Sequence, residues 1–321
     1  MSNYRDENKP TVVVSSCLGF CKCRYNGDII SSSFVQELKD HVNFINVCPE
    51  VEIGLGVPRN PVRLIIEHDE LALYQPAHDK YLTKEMNVFA SDFIHKIDHV
   101  HGFILKGRSP SCGIKDVKIH MGKEKSAGSV KGVGLFALHV MKNYPYLPIE
   151  EEGRLTNYAI REHFLTKLYT FFRFQKVKAS NAMKELVKFH SEHKYLLLAY
   201  NQSQSRILGK IVANHENKSF SEITKEYEDH LGLAFAKLPN KNNYINAFEH
   251  IFGYFSNELS TKEKIFLLDR FQKYKEDKIH IGVALNLLRT YAIKYNQKYL
   301  LDQVIWAAYP EELLDIKDSG K

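Results

Sequence analysis

The sequence predicts an α/β domain with a mainly parallel sheet, followed by an all-α helical-bundle domain. Over the first half of the 321 residues, short β-branched runs alternate with amphipathic stretches. From residue 157 onward, apolar residues recur at three- and four-residue spacing, and no convincing strand alternation is present. A proline-containing stretch at 144–148 separates the two patterns. We therefore predict two domains, residues 1–155 and residues 156–321.

The first domain contains signals for strands, helices and turns in alternation. Buried strands are predicted for residues 11–15, 44–47 and 102–106. Helices are predicted for residues 33–38, 87–99 and 134–140. Residues 62–66 and 70–74 predict a hairpin that turns at His68 and Asp69, and the Gly-, Lys- and Ser-rich residues 115–132 predict a flexible loop.

The second domain consists of long helical patterns. Ile245, Phe248, Ile251, Phe252 and Phe255 show the spacing that places apolar side chains on one helix face. Helices are predicted for residues 158–174, 181–199, 203–213, 221–236, 244–258, 261–275 and 280–295. Apolar stripes on successive helices favour a bundle.

The composition is that of a globular protein with a mild basic bias. Lys and Arg total 44, Asp and Glu total 38, and the formal net charge is +6. Residues 1–150 carry 18 basic and 17 acidic side chains, and residues 151–321 carry 26 and 21. This excess, by itself, is weak evidence for binding to nucleic acid.

Hydropathy predicts a cytoplasmic protein that does not enter membranes. No apolar run reaches the roughly 18 residues that a membrane span requires. Residues 1–10 lack the apolar centre of a signal peptide. Because thiols stay reduced in the cytoplasm, clustered cysteines there bind metals or take part in catalysis more often than they form disulfides.

Three of the five cysteines follow predicted strands and precede loop residues. Cys17 stands before Leu-Gly, Cys48 before Pro-Glu, and Cys112 between Ser and Gly. Because the carboxyl ends of parallel strands meet at one crevice, we expect these thiols to converge. Three thiolates in one place can hold an iron–sulfur cluster and leave one iron without a protein ligand. That iron would be a Lewis acid, so the pattern points to chemistry rather than to stability.

Other interpretations of the cysteines stay open at this point. Cysteine is often buried as a small hydrophobic residue, and a structural zinc site normally requires a fourth protein ligand, for which His68 is an unspecific candidate. Cys17, Cys21 and Cys23 form a C-x₃-C-x-C run that misses the radical S-adenosylmethionine spacing by one residue. We interpret Cys21 and Cys23 as incidental loop thiols, or as a second thiol site made reactive by exposure.

The first domain resembles the thiouracil desulfurase family over roughly residues 10–155. The motifs that carry the resemblance follow the family's order: Ser16-Cys17-Leu18-Gly19, Arg24-Tyr25-Asn26-Gly27, Cys48-Pro49-Glu50-Val51-Glu52, Gly56-Val57-Pro58-Arg59 and Lys106-Gly107-Arg108-Ser109-Pro110-Ser111-Cys112-Gly113. The second domain resembles the YbgA-like helical domain through residues 188–196, 208–210, 250–255 and 287–289. The two-domain fusion is similar to the tRNA 4-thiouridine desulfidases.

The resemblance implies a 4Fe-4S cluster held by Cys17, Cys48 and Cys112, with Cys21 and Cys23 outside the motif. It implies an enzyme that converts 4-thiouridine in tRNA, or 4-thiouridine monophosphate, to uridine and sulfide without redox chemistry. A soft thione sulfur suits the open iron, which would polarise the C=S bond.

Water must then attack the ring carbon, and this step needs a base. Glu50, two residues after Cys48, is the candidate base. Ser109 and Ser111 are candidate donors to the sulfur or to the developing charge. An alternative role for Ser109 is a turn in which its hydroxyl bonds its own backbone.

The loops near the cysteines also carry candidates for substrate binding. Arg24 and Tyr25 are predicted to hold the phosphate or the ring of a nucleotide, and Arg108 is predicted to bind substrate as well. A solvent-facing loop pair is the alternative interpretation of Arg24 and Tyr25.

In the second domain, Lys188, His193 and Lys194 fall within two turns of one predicted helix. They predict an RNA platform, with cations for phosphates and a ring for base or hydroxyl contacts. A solvated helix face is the alternative. At the level of function, the alternatives are desulfuration of free thiouracil or thionucleotides only, and a non-catalytic iron–sulfur sensor that binds RNA or a protein.

Overall fold

The computed structural model describes residues 6–124 and 128–318. The chain folds into two compact units, one formed by Met1–Leu168 with Glu312–Lys321 and the other by Tyr169–Glu311. The division between the units falls inside a helix that begins at Tyr158. The domain boundary at 155/156 stays a prediction.

The strands all belong to the first unit. They are β1 (Thr11–Ser15), β2 (Asn43–Val47), β3 (Arg63–Glu67), β4 (Glu70–Gln75), β5 (Lys80–Tyr81), β6 (Gly102–Leu105), β7 (Val117–His120), β8 (Ser129–Gly132) and β9 (Ile149–Glu151).

The helices run from the first unit into the second. They are α1 (Ser33–Glu37), α2 (Pro49–Glu52), α3 (Thr83–Lys96), α4 (Leu135–Asn143), α5 (Tyr158–Ser180), α6 (Met183–Tyr200), α7 (Gln202–Ala213), α8 (Phe220–Ala234), α9 (Lys241–Gly253), α10 (Thr261–Lys275), α11 (Ile281–Lys294) and α12 (Lys298–Leu301). The predicted fold class, an α/β domain with a parallel sheet followed by helices, is confirmed.

A four-stranded parallel sheet, in the order β2-β1-β6-β9, carries the predicted strands. Val13 of β1 pairs with Ile45 of β2 on one side and with Phe103 of β6 on the other. All five residues of β1 are buried, as expected for a central strand covered on both faces. Because these strands are parallel, their carboxyl ends lie along one edge of the sheet.

A second sheet, in the order β5-β4-β3-β7-β8, is mostly antiparallel. Its β3–β4 hairpin turns at His68 and Asp69 as predicted, and both residues take the left-handed backbone conformation. The prediction of a flexible loop for residues 115–132 is wrong where the structure describes them, because β7 and β8 lie there. Val117 and Ile119 alternate with exposed Lys118, but this strand signal is too short to stand out among the surrounding Gly, Lys and Ser.

The two sheets share one hydrophobic core with α3 and α4. Leu64 and Leu73 from the hairpin lie in the same cluster as Val13 and Phe103 from the parallel sheet. Phe136 of α4 is fully buried and packs against the rings of the α3 residues Phe89 and Phe93. This core fixes the parallel sheet against the elements that carry the loops at its edge.

In the second unit, helix types agree with the sequence prediction and helix ends differ by a few residues. The largest difference is at α5, predicted to end at residue 174 and observed to continue to Ser180. Helix α8 begins with a capping box in which the Ser219 hydroxyl accepts from the Glu222 backbone and the Glu222 carboxylate accepts from the Ser219 backbone. Ser260 and Glu263 repeat this arrangement at α10.

Helix α6 is central to the second unit, because it packs against α7 and α9. Its Phe189 ring lies 5.5 Å from the Phe174 ring and 6.0 Å from the Tyr227 ring. None of the helices in the described residues is both long enough and apolar enough to cross a membrane.

Candidate metal centre and active site

A cleft of about 370 Å³ lies at the carboxyl edge of the parallel sheet. Cys17 follows β1, Cys48 follows β2, and the loop that ends at Cys112 follows β6. The three cysteines that the sequence singled out line this cleft together with Glu50 and Cys23. The cleft is also lined by the other residues predicted for the first domain, namely Arg24, Tyr25, Arg108, Ser109 and Ser111.

Local hydrogen bonds hold each cysteine at the strand end. The loop after β1 turns through Gly19, whose φ of +93° favours glycine, and the Cys17 carbonyl accepts from Ile30 N at 2.7 Å. Cys48 is the N-cap residue of α2, with Pro49 in the first helical turn. The Cys17–Ile30 hydrogen bond and the start of α2 thus fix the backbone of Cys17 and of Cys48 at the strand ends.

The loop before Cys112 is a turn built on Ser109. The Ser109 hydroxyl accepts from the backbone nitrogens of Ser111, at 3.3 Å, and Cys112, at 3.1 Å. This is the turn-forming role that the sequence left open for Ser109. Arg108 precedes the turn with φ of +60°, a conformation that costs energy for a residue with a side chain.

Cys17 and Cys112 lie in surroundings that favour the neutral form of their thiols. Burial, and then the neighbouring Cys48, raises the pKa of Cys17 to about 11. Burial raises the pKa of Cys112 well above the usual thiol range, although a hydrogen bond with Ser15 opposes it. A metal ion reverses this preference because it supplies positive charge to a coordinating thiolate. The donor set therefore fits a metal centre that provides several positive charges at once.

The thiols that line the cleft are ligands of the kind that an iron–sulfur cluster uses. Among residues 6–124 and 128–318, no three His, Cys, Asp or Glu side chains form a group that could hold one metal ion. A zinc site gathers its ligands around one centre. In a 4Fe-4S cluster, each cysteine binds a separate iron, so the sulfurs need not converge on a point. Cys17, Cys48 and Cys112 are the residues that would hold it.

Glu50 is buried beside the thiols and is held by two partners. The Ser111 hydroxyl donates to Glu50 Oε1 at 2.6 Å. The Arg59 guanidinium donates to Glu50 Oε2 from Nη2 at 2.6 Å and from Nε at 3.0 Å. Both carboxylate oxygens are therefore oriented. Glu50 lies in the first turn of a helix, and Glu52 on the same turn is exposed.

The two serines form a hydrogen-bonded chain that ends on Glu50. Ser109 Oγ and Ser111 Oγ lie 3.2 Å apart. Because the Ser111 hydrogen is directed to the carboxylate, the Ser109 hydrogen is the one available between the two hydroxyls. Ser111 is thus a donor to Glu50 in this structure, rather than a donor to a substrate sulfur as the sequence suggested.

Arg59 is a residue of the site to which sequence reasoning gave no role. Its side chain is 6% exposed and forms the ion pair with Glu50. Its Nη1 also donates to the Cys23 carbonyl at 2.9 Å, and its backbone nitrogen donates to the Tyr25 carbonyl at 2.7 Å. The only signal for Arg59 in the sequence was its place in the Gly-Val-Pro-Arg motif.

Cations and one exposed ring lie around the cleft. Tyr25 is 44% exposed, and the Arg24 guanidinium lies 5.7 Å from its ring centroid. Arg108 is exposed, and Lys106 pairs with Glu152. These groups are suited to bind an anionic, planar ligand at the mouth of the cleft.

The helical candidates differ from one another in exposure. Lys188 is exposed and lies 3.9 Å from Glu192. Lys194 is exposed, and its Nζ lies 5.3 Å from the centroid of the Tyr195 ring. His193, in contrast, is 1% exposed, and its Nδ1 bonds the Phe189 carbonyl at 2.7 Å. Its burial removes the ring from any RNA-binding surface, so the prediction for His193 is wrong. His193 stands four residues after buried Phe189 and three before buried Leu196, on the apolar face of α6.

Two family models match the chain, one in its first half and one in its second half. Residues 12–152 match the family model described as 2-thiouracil desulfurase, and residues 194–310 match the model of a protein of unknown function, DUF1722. The chain is 32% identical over 121 residues to the uncharacterized protein YbbK of Bacillus subtilis (strain 168), covering 32% of this chain and 72% of that protein. It is 21% identical over 158 residues to the uncharacterized protein YbgA of Escherichia coli (strain K12), covering 49% of this chain and 93% of that protein.

Among solved structures, the chain resembles the 4Fe-4S-dependent thiouracil desulfidase TudS. The two share 22% identity with a TM-score of 0.36, over 46% of this chain and 93% of that chain. A structural likeness at this level is too weak to carry a functional argument.

Proposed function

The chain belongs to the 2-thiouracil desulfurase family, and on that premise we propose that it removes sulfur from 4-thiouridine in tRNA or from 4-thiouridine monophosphate. The products are uridine and sulfide, and the reaction involves no net oxidation or reduction. One observation carries this proposal: the thiols of Cys17, Cys48 and Cys112 share a cleft with a carboxylate whose two oxygens are already oriented.

Cys17, Cys48 and Cys112 hold a 4Fe-4S cluster in this proposal. When bound, the cluster supplies an iron without a protein ligand, a Lewis acid that takes the soft thione sulfur and polarises the C=S bond. Cys17 and Cys112 are buried and Cys48 is half-buried, so the protein covers most of the surface of these ligands.

Glu50 acts as the general base. Its Oε1 accepts a proton from the water that attacks ring carbon 4, directly or through the Ser109–Ser111 hydroxyl chain. Oxygen replaces sulfur on that carbon, the C–S bond breaks, and sulfur leaves as sulfide with the protons of the water. Arg59 stabilises the ionised carboxylate and holds it in place for this transfer.

Arg24, Tyr25 and Arg108 bind the substrate at the mouth of the cleft. The guanidinium groups bind a phosphate, and the exposed Tyr25 ring stacks on a base or sugar. The cleft is of the size of a small-ligand pocket, so a 4-thiouridine inside folded RNA must swing out to enter it. Lys188 and Lys194 of the second unit contribute cations for RNA phosphates.

A cleft of this size also takes a free base or nucleotide, and the second candidate is therefore an enzyme for free thiouracil or thionucleotides only. Substitution of the cations distinguishes the two. Replacing Arg24 and Arg108 by Ala should raise KM for 4-thiouridine monophosphate and leave KM for 4-thiouracil nearly unchanged. Replacing Lys188 and Lys194 by Ala should raise KM for thiolated tRNA alone. Equal effects on all three substrates would contradict these assignments.

The reaction itself is tested with protein purified and reconstituted without oxygen. We expect the wild type to remove the thiouridine absorbance of thiolated tRNA and to release one sulfide for each thione lost. Glu50→Gln should keep the iron–sulfur absorbance and lose turnover by about 10²–10⁴-fold, the usual contribution of a general base. A colourless, iron-free wild type, or full activity in Glu50→Gln, would refute the proposal.

A further inference from the structure

A row of tyrosines lies on the surface of the second unit. The tyrosine row consists of Tyr254, which follows α9, and of three residues at four-residue intervals from the end of α11 into α12, namely Tyr291, Tyr295 and Tyr299. These last three rings are half-buried, and Tyr254 is 43% exposed. The reaction at the cleft of the first unit gives these side chains no role.

Neighbouring rings of the tyrosine row are held nearly parallel. The ring centroids of Tyr291 and Tyr295 lie 6.3 Å apart with 9° between the planes, and those of Tyr254 and Tyr299 lie 5.9 Å apart with 21°. Phe255, which is fully buried, stacks on both Tyr291 and Tyr295. Phe255 therefore belongs to the core, whereas the tyrosine row is an outer layer of rings, preorganised for a planar ligand.

Cations alternate with the tyrosines along the chain. Residues 289–299 contain no acidic side chain and three exposed basic ones: Arg289, Lys294 and Lys298. Lys294 Nζ lies 5.1 Å from the centroid of the Tyr295 ring. Lys194, the exposed lysine of α6, has its Nζ 5.7 Å from the centroid of the Tyr299 ring. A planar ligand on these rings therefore has positive charge beside it.

Two hydroxyl groups of the tyrosine row are engaged within the protein. Tyr291 donates to Glu263 Oε1 at 3.5 Å, and Tyr295 donates to the Glu258 carbonyl at 3.1 Å. Glu263 Oε1 also lies 3.6 Å from Lys294 Nζ. Because these hydrogen bonds fix the edges of the rings, a ligand is bound through ring faces and charge, without selection for one base.

We propose that the tyrosine row and its cations bind unpaired nucleotides of RNA. The inference rests on the proposed function, because it identifies a second contact with a tRNA substrate. Stacking rings combined with cations suit single-stranded nucleic acid, since every base has a flat face and every nucleotide carries a negative charge. Cation–π contacts at exposed sites are weak, so Lys194 and Lys294 can turn from a ring to a phosphate. Bases inside a duplex are already stacked, so the row should hold loops and ends.

RNA binding by full-length protein, reconstituted without oxygen, tests this inference. The probes are a tRNA transcript without thiouridine, a short single-stranded oligouridine and an RNA duplex of the same length. Tyr254→Leu should weaken binding of the first two by about 5- to 150-fold, the range for one stacked base, and should change duplex binding little. Tyr254→Phe, which keeps the ring, should bind as the wild type does.

A matched control comes from α10, outside the tyrosine row. Phe266 is 46% exposed, and the Arg270 guanidinium lies 4.8 Å from its ring centroid. Phe266→Leu should keep wild-type affinity for all three probes. Salt dependence then separates cations from rings: Lys298→Ala should lower the slope of log K against log salt by about 0.7 for the single strand, and Tyr254→Leu should leave this slope unchanged.

Wild-type affinity for the transcript in both Tyr254→Leu and Lys298→Ala would overturn the inference. A change in oligomeric state in Tyr254→Leu, measured by light scattering, with unchanged RNA affinity would also overturn it, because the row would then be a protein interface. A wild type that binds the transcript through the row but releases no sulfide from thiolated tRNA would refute the proposed function alone. Sulfide release from thiolated tRNA with the same KM in wild type and Tyr254→Leu would refute the inference alone.

Discussion

At the scale of single residues, the site depends on the ion pair between Glu50 and Arg59, and the sequence around these two residues gives little sign of it. Glu50 and Arg59 have side chains that are 12% and 6% exposed, and they meet through two hydrogen bonds. Removing one partner of such a pair leaves the other charge buried without compensation. Arg59 therefore has two roles: it orients the Glu50 carboxylate, and it compensates the negative charge of that buried carboxylate.

Arg59→Leu should destabilise the first unit by about 3–5 kcal/mol, the usual cost of leaving a buried charge unpaired. Hydrogen exchange of β1 amides, followed by mass spectrometry in the full-length protein, measures this loss. Lys80→Ala is the control, because the Lys80–Glu85 pair is exposed and such pairs contribute about 1 kcal/mol or less. Equal protection in Arg59→Leu and Lys80→Ala would show that the buried pair is not needed.

The cysteines give a prediction at the same scale. Serine in place of Cys17, Cys48 or Cys112 should abolish the iron–sulfur absorbance or lower the iron content, because each variant removes a thiolate ligand. Cys21→Ser should keep the iron content of the wild type. Iron and acid-labile sulfide are measured per chain after reconstitution without oxygen. Four variants with the same iron content would exclude this ligand set.

At the scale of elements, the loop that carries Ser111 and Cys112 is held by the start of α4. Leu135 N donates to the Pro110 carbonyl at 3.1 Å, and Ala137 N donates to the Ser111 carbonyl at 3.0 Å. Gly134 lies so close to this loop that a Cβ there would stand 2.5 Å from the Ser111 carbonyl oxygen. The glycine is required by contact rather than by conformation, since its φ is −70°.

Gly134→Ala should therefore move the Ser111 loop or destabilise it, at a cost of about 1–3 kcal/mol for overpacking. The midpoint temperature of thermal unfolding of the full-length protein should fall, and so should the iron content after reconstitution. Gly153→Ala is the matched control, since no heavy atom lies within 4 Å of its added Cβ. If both variants keep the stability and iron content of the wild type, the α4 contact does not position the loop.

At the scale of the whole molecule, the two units hold different kinds of buried polar groups. The first buries thiols and an ion pair at a sheet edge, whereas the second buries histidines inside a helical bundle. Burial lowers the pKa of His193 to about 3 and that of His190 to about 4, with nearby positive groups acting in the same direction. Both rings are neutral in the folded unit.

The histidines predict that the second unit loses stability in acid. Their folded pKa values lie below the unfolded value of 6.5, so the unfolded chain binds more protons between about pH 6.5 and 3. Stability should be full above pH 6.5 and fall as the pH drops through this window. Urea unfolding followed by the fluorescence of Trp306, the one tryptophan of the chain, reports on the second unit.

His193→Phe, which keeps a ring against Phe189, should flatten this pH dependence. The exposed His250 provides the control, and His250→Gln should leave the dependence unchanged. A pH dependence that is the same in wild type and His193→Phe would show that the buried ring does not contribute.

The sequence predicts those features of the structure that depend on residues close together in the chain better than those that depend on contacts between distant segments. Strand and helix types followed from periodicity, because an apolar face is a local property of five to fifteen neighbouring residues. The placement of Cys17, Cys48 and Cys112 around one cleft followed from one further rule, that parallel strand ends share an edge. The sequence thus determined the fold class and the location of the thiols by itself.

Only the tertiary structure decided which side chains meet within that location. Arg59 reaches Glu50, Ser111 donates to the same carboxylate, and Cys23 turns inward while Cys21 stays exposed. These outcomes depend on loop conformation and on packing between segments far apart in the chain, and no local pattern of residues encodes either one.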